Sequence, residues 1–358
     1  MPGCLHGGPA YPPGGARAAR CYERSMVTRR TAIQGLGALA AAAALPFPIP
    51  AAGAARKPPR LKVGDTVGLI EPASFSDGPA HVEAVESTIR AMGLVPKVGA
   101  HVAARYGYLA GTDAQRAGDI NAMFGDDEVR AVFAMRGGWG SARLLPLLDW
   151  PLIRANPKLL VGSSDVTALH LAFAARAGFP TIHGPNAASS WQPTSWESLW
   201  RLAFTGETPT LGTPWPVSTI RPGKARGRLV GGNLSVLAAL VGTPWLPNFE
   251  GAILFLEDTG EAEYRIDRML SQLALAGLLD RLAGVVFGQC TRCTSGIPDY
   301  IGFTVPEILR QYLEPLGVPA FHGANIGHVA NQLCVPVGAE VELDAEAGTL
   351  RVLEAVVR

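Results

Sequence analysis

The sequence predicts an α/β protein with a parallel-sheet first domain and a mixed second domain, and three observations carry that prediction. From Leu61 to about Thr210, short apolar runs alternate with helix-length segments, as in strands covered on both faces by crossover helices. Between about Ser195 and Gly227 periodicity is lost and prolines gather at Pro209, Pro214, Pro216 and Pro222, which marks a domain boundary. Beyond it, helices and strands lead into a period-two ending, so the second domain is mixed rather than purely doubly wound. There is no internal repeat.

Taken in order, residues 1–54 form a leader. Arg29 and Arg30, within Thr28–Ile33, precede the apolar run Gly35–Pro46, which is too short to span a bilayer, and Ala52-Gly53-Ala54 offers small residues for cleavage. The segment reads as a twin-arginine export signal with the mature chain starting near Ala55, which places the protein in the periplasm. Residues 1–25 lack periodicity and read as a disordered tail or a start codon placed too early, with Met26 just upstream of the arginines.

The first domain, 61–205, opens with strand Val67–Ile70 ending at Glu71, then a helix from Val82 to Met92 closed by Gly93, and strands Ala131–Met135 and Leu159–Val161. Residues 206–226 read as a linker and 227–358 as the second domain. There, Gly231-Gly232-Asn233 opens a helix over Leu234–Leu240, followed by strand Ala252–Leu256, helix Tyr264–Ala276 and strand Gly284–Phe287. Glu340–Leu343 and Thr349–Leu353 alternate like a surface hairpin.

The chain has 358 residues, 48% hydrophobic and 17% charged, an ordinary globular composition. No segment past residue 56 approaches the ~18 to 20 apolar residues of a membrane span. Removing the leader, with five arginines and one glutamate, takes the formal charge from +1 to −3; no basic stripe remains, which argues against nucleic acid. Of five cysteines, Cys4 and Cys21 lie in the leader. Cys290 and Cys293 have the spacing of a redox or metal half-site but lack a partner half, and so read as structural or incidental.

Ser164 stands where Leu159-Leu160-Val161-Gly162 turns into Asp165-Val166-Thr167-Ala168-Leu169-His170, the strand-turn-helix setting that exposes a nucleophile beside free N–H groups. Ser163, Ser164 or Asp165 equally makes an ordinary helix N-cap. A serine nucleophile needs a base, and the base an orienting acid. Of the seven histidines, His6 lies in the leader, His81 and His101 have no special setting, and His170 is six residues from Ser164. That is ~9 Å along a helix at ~1.5 Å each, too far to reach back. His183, His322 and His328 remain, and His328, in the glycine-opened loop Ile326–Gln332, is the most suggestive.

Glu257 ends a strand, where a carboxylate either orients an imidazole or caps the next element; Asp258, Glu261 and Glu263 read as charges introducing the next helix. The Asp165 N–H is a natural oxyanion donor, and the turn Arg136-Gly137-Gly138-Trp139-Gly140 can supply another. That turn is neither a G-x-G-x-x-G fingerprint nor a P-loop, so nucleotide binding is disfavoured.

Five ordered segments together resemble the LD-carboxypeptidase family of serine peptidases. They are Arg136–Leu145, Gly162–Leu169, Gly231–Leu234, Phe255–Asp258 with Tyr264–Arg268, and Gly327-His328, and the likeness runs from about Val63 to Leu353. The resemblance implies an N-terminal Rossmann-like parallel-sheet domain, a C-terminal mixed α/β domain and an active site between them. It implies Ser164, rather than Ser163, as nucleophile, His328 as general base and Glu257 as its orienting acid, with Gly138 and Asp165 as oxyanion donors. Arg136, with Gly137 beside it, is the candidate for holding a substrate carboxylate. Further implications are hydrolysis without metal or cofactor, release of terminal D-alanine from murein tetrapeptides, and a homodimer. Two positions depart from the family: Ser163, often aromatic in relatives, and Val329-Ala330-Asn331-Gln332, where relatives often carry another glycine.

Two other functions compete. A branch of the same family inactivates peptide-nucleotide antibiotics, for which Trp191 and Trp196 lie in a plausible loop as a purine platform. A periplasmic binding protein built on two α/β lobes would share the fold without the chemistry.

Overall fold

The first sheet follows from apolar, β-branched runs too short for helices and buried on both faces. In the computed structural model, which describes residues 57–358, β1 (Thr66–Ile70), β2 (Val95–Val98), β3 (Val129–Ala134), β4 (Leu159–Gly162) and β5 (Thr181–His183) pair in parallel. Their spatial order is β5-β4-β3-β1-β2. All four residues of β4 are buried, as a central strand with helices on both sides requires. The leader with its export signal lies outside the described residues, among which no helix is long and apolar enough to cross a membrane.

The covering helices begin where local chemistry permits. Pro79 opens α1 (Pro79–Ala91) in the first turn, where its missing N–H costs nothing. A reciprocal capping box between Thr112 and Gln115 opens α2 (Asp113–Gly125). Then come α3 (Trp150–Ala155), α4 (Thr167–Arg176), which follows directly from the turn after β4, and α5 (Pro193–Leu199). Phe124 of α2 and Phe173 of α4 pack with ring centroids 5.3 Å apart, and Phe179 meets Phe173 edge-on at 5.8 Å.

The second sheet draws on β6 (Thr210–Gly212), β7 (Ser218–Arg221), β8 (Lys224–Asn233), β9 (Ile253–Thr259), β10 (Gly284–Thr291), β11 (Ala320–His322), β13 (Glu340–Asp344) and β14 (Thr349–Val352). The order is β6-β14-β13-β8-β9-β10-β11-β7, with β8 to β11 parallel at the centre and antiparallel pairings on both flanks. Helices α6 (Leu234–Ala239), α7 (Glu263–Leu275) and α8 (Val305–Leu313) complete this half. The α/β class, the parallel first sheet and the mixed second half are as the sequence predicts.

Three details differ. The segment 206–226 is not a bare linker: β6 and β7 lie within it as the two edge strands of the second sheet. Edge strands tolerate flanking prolines, and three or four residues are too few to show alternation. The strand β12 (Val335–Val337), from the second half of the chain, joins the first sheet antiparallel to β5. The terminal hairpin forms as expected but is interior to the sheet, with β13 against β8 and β14 against β6.

Candidate active site

The polypeptide reverses sharply after β4. Gly162 ends the strand, Ser163 is extended, and Ser164 has φ 63°, one of three non-glycine residues in the left-handed region among the described residues. Such a conformation costs about 1–3 kcal/mol unless its surroundings impose it. Asn186 Oδ1 accepts from Ser163 N–H at 3.0 Å and so holds the residue before Ser164. A Cβ at Gly137 would lie 2.8 Å from Ser164 Cβ, so only glycine lets the turn after β3 come this close. Beyond Ser164, a single 3₁₀ turn, Ser164–Val166, runs into α4 and leaves the first N–H groups without intrahelical acceptors.

Asp165 turns its carboxylate inward. Ser141 N–H donates to Asp165 Oδ2 at 2.7 Å, which ties the glycine turn to the serine turn, and burial raises this carboxyl above its usual range. The fully buried Arg116 holds the same turn from behind, donating to Gly140 O at 3.0 Å and also to Pro72 O. Nothing in the α2 pattern marks this arginine in sequence. On the far side Trp139 N–H donates to Ser74 Oγ at 3.3 Å. The turn carrying Gly138 is therefore anchored at Ser74, Arg116 and Asp165.

His328 arrives from the loop before β12. Its Nε2 is 3.1 Å from Ser164 Oγ and its Nδ1 is 2.8 Å from Glu257 Oε2, and the carboxylate is fully buried. Gly327, at φ 116°, lets the loop press on Glu257: a Cβ there would lie 2.8 Å from both Glu257 Cβ and Oε2. Burial pushes the His328 imidazolium down, but the hydrogen bond and charge of Glu257 outweigh it and hold the ring above the ordinary histidine value. The other histidines take different places. His170 bonds Gly162 O and Thr181 Oγ1, each at 2.8 Å, within the core. His183 is buried edge-on to Phe255, 4.0 Å from Glu257 Oε1, and His322 is half-buried on β11. His101, read as having no special setting, pairs with Asp119 at 2.8 Å.

Two acidic residues depart from their sequence reading. Glu257 does not end its strand, since β9 continues to Thr259. Asp258 does not introduce the helix: it is buried and accepts from Asn233 Nδ2 at 3.0 Å and Ser235 Oγ at 2.6 Å. Asp258, Asn233 and Ser235 line a cleft of about 260 Å³ together with Gly138, Trp139, Ser164 and Asp165. Asn233 N–H donates to Thr167 Oγ1 at 2.9 Å and so fixes the start of α6 against the start of α4. Arg136 donates to Phe75 O at 2.9 Å and lies near Glu71, whose buried carboxyl is pushed up to about 8 by desolvation.

A hydroxyl, an imidazole and a buried carboxylate in line, beside unpaired helix-start amides, form the arrangement of a serine hydrolase. The chain belongs to the LD-carboxypeptidase family: the family's N-terminal domain matches residues 67–184 and its C-terminal domain residues 226–343. It is 37% identical over 301 residues to the "Probable murein peptide carboxypeptidase" of Bacillus subtilis (strain 168), covering 82% of this chain and 93% of that protein. It is 36% identical over 292 residues to the "Murein tetrapeptide carboxypeptidase" of Pseudomonas aeruginosa, covering 78% of this chain and 92% of the other. In three dimensions it matches a mutant of the microcin C7 self immunity protein MccF in complex with adenosine monophosphate, with TM-score 0.77 at 24% identity, over 84% of this chain and 99% of that one. The protein is a serine-type carboxypeptidase.

Proposed function

We propose that this protein cleaves the L,D-amide bond that carries the terminal D-alanine of murein tetrapeptides, with Ser164 as nucleophile, His328 as general base and Glu257 as orienting acid. The observation that carries the proposal is the continuous contact Ser164 Oγ, His328 Nε2, His328 Nδ1, Glu257 Oε2, at 3.1 and 2.8 Å.

Ser164 Oγ attacks the scissile carbonyl while His328 Nε2 takes its proton, and the oxyanion is met by the N–H groups of Gly138 and Asp165. The C–N bond breaks as His328 returns the proton to the leaving D-alanine nitrogen. Water, deprotonated by the same imidazole, then hydrolyses the ester and regenerates Ser164. Arg136, positioned by Phe75 O, supplies guanidinium donors for the free carboxylate of D-alanine, and Gly137 keeps the approach to Ser164 open. Murein as substrate accords with the export signal read in the leader, with action in the periplasm during peptidoglycan turnover, and with the homodimer that the resemblance implies.

A second reading, hydrolysis of a peptide-nucleotide, has one observation in its favour: Trp139 lines the cleft and is 45% exposed, a surface on which a base can stack. Trp191 and Trp196 do not supply that platform, because Trp191 packs on Phe133 and Trp196 on Trp200 and Phe204. The test is release of free D-alanine from murein tetrapeptide by the wild type, Ser164→Ala and His328→Ala. Release by wild type alone is expected. Equal release by the variants overturns the assigned roles, and turnover of a peptidyl-nucleotide but not of tetrapeptide overturns the substrate. Binding of tetrapeptide without turnover by any form points to the binding protein.

A further inference from the structure

The loop that carries His328 rests on a second device. The strand β10 continues past Phe287 to Thr291, and Cys290 and Cys293 close a disulfide around its last residue. Between them, Thr291 Oγ1 donates to His328 O at 3.1 Å, while Thr291 O accepts from Gly260 N–H at 2.9 Å and from Thr259 Oγ1 at 3.1 Å. Two residues back, Gln289 N–H donates to Ile326 O at 2.8 Å, and its side-chain amide donates to Gly323 O at 2.9 Å. The end of β10 is thus bonded on one side to β9, which carries Glu257, and on the other to the loop that carries His328. Arg292, between the two cysteines, has φ 57°, a left-handed conformation that a non-glycine residue keeps only where its surroundings impose it.

We infer that Thr291 is a positioning residue for His328, and that the Cys290–Cys293 disulfide clamps Thr291 in place, so that opening the disulfide slackens the base. This rests on His328 being the general base. The cysteines are half-buried rather than enclosed, so a small dithiol can reach them. The exchange balances: a dithiol such as dithiothreitol gives two electrons and two protons to the Cys290–Cys293 bond, leaving two thiols and its own cyclic disulfide. The charged or titratable groups facing His328 are Glu257 and Asp258 from β9, Arg292 from the turn after β10 and His183 from β5.

The experiment compares full-length wild type, Thr291→Val, Thr291→Ser and the Cys290→Ser/Cys293→Ser double variant, with and without dithiothreitol, in kcat, KM and the pH profile of D-alanine release from murein tetrapeptide. Thr291→Val is expected to lower kcat about tenfold through sub-ångström misplacement, with KM nearly unchanged. Its acid limb shifts to lower pH as the contact with Glu257 loosens, and Thr291→Ser restores both. Dithiothreitol exposes two further thiols in the wild type and reproduces the loss, and it has no effect on the double variant, which is already slow. Wild-type kcat and pH profile in Thr291→Val overturn the inference, as does unchanged activity in protein whose two thiols are titratable. If Thr291→Val does not fold, the reduction arm alone decides. Should His328→Ala itself retain full activity, the assignment of the base fails instead, so the two failures are distinguishable.

Discussion

Replacing Gly137 by alanine probes the serine turn while leaving the three residues in line unsubstituted. The new Cβ would stand 2.8 Å from Ser164 Cβ, 3.1 Å from Ser164 Oγ and 3.4 Å from Asp165 N. Carbon atoms pack at about 3.5–4.0 Å, so one side of the turn must yield by about 0.7–1.2 Å. Gly137 is not among the positive-φ glycines, so alanine brings no backbone strain, and overpacking costs about 1–3 kcal/mol of stability. The methyl group also comes close to both Oγ and the Asp165 N–H, where the proposed mechanism puts the oxyanion. Loss of one oxyanion donor costs about 10²–10³ in kcat, and a 1 Å misplacement costs about as much as the lower figure. The expected result is a fall of about 10²–10³ in kcat for D-alanine release from a protein that remains folded by circular dichroism. Activity within tenfold of wild type would refute the placement of the oxyanion between Ser164, Asp165 and the glycine turn.

Ser164→Ala is expected to abolish turnover, by about 10⁴-fold or more, while leaving tetrapeptide binding measurable by calorimetry. Glu257→Gln is expected to lower kcat by about 10³–10⁴ because the amide cannot orient the same imidazole tautomer. With His328 as the proposed general base, activity should be lost as pH falls through a value above the ordinary histidine range, and Glu257→Gln should move that limb downward; an unmoved limb would separate Glu257 from the base. Glu71 is protonated in the folded state up to about 8 against an ordinary value of 4.5. Its neutral form therefore stabilises the fold fully below 4.5, and that contribution is lost as pH rises toward 8. Glu71→Gln, which mimics the neutral acid, should widen its advantage in Tm between about pH 5 and about pH 8. A constant difference would contradict this.

Much of the architecture is written locally. The strands β1, β3 and β4 show as continuous apolar runs, α7 and α1 as periodic segments with recognisable ends, and the hairpin of β13 and β14 as a period of two. Ser164 was visible as a polar residue at a strand-to-helix turn, and His328 as a histidine behind a glycine. The residues themselves left Ser164 open as a helix cap and Glu257 open as another, because a turn of a few residues has the same composition whether it caps or catalyses. Ordered motifs spread over about 200 residues removed that ambiguity, since five short signals in one order are far more specific than any one.

What the sequence by itself determined is the set of local conformations: which segments bury both faces, where glycine permits the chain to turn, and which residue types stand at those turns. Tertiary structure alone decided which of them meet. Ser164 and His328 are 164 residues apart, and no local pattern states that β12 crosses back to the first sheet or that β9 and β10 extend beyond their apolar runs. The support beneath them, Arg116 under the glycine turn, Asp258 on the cleft wall and Thr291 under His328, was illegible for the same reason. A polar side chain is costly to bury alone and becomes favourable only with its partner in place, and that partner comes from a distant part of the chain.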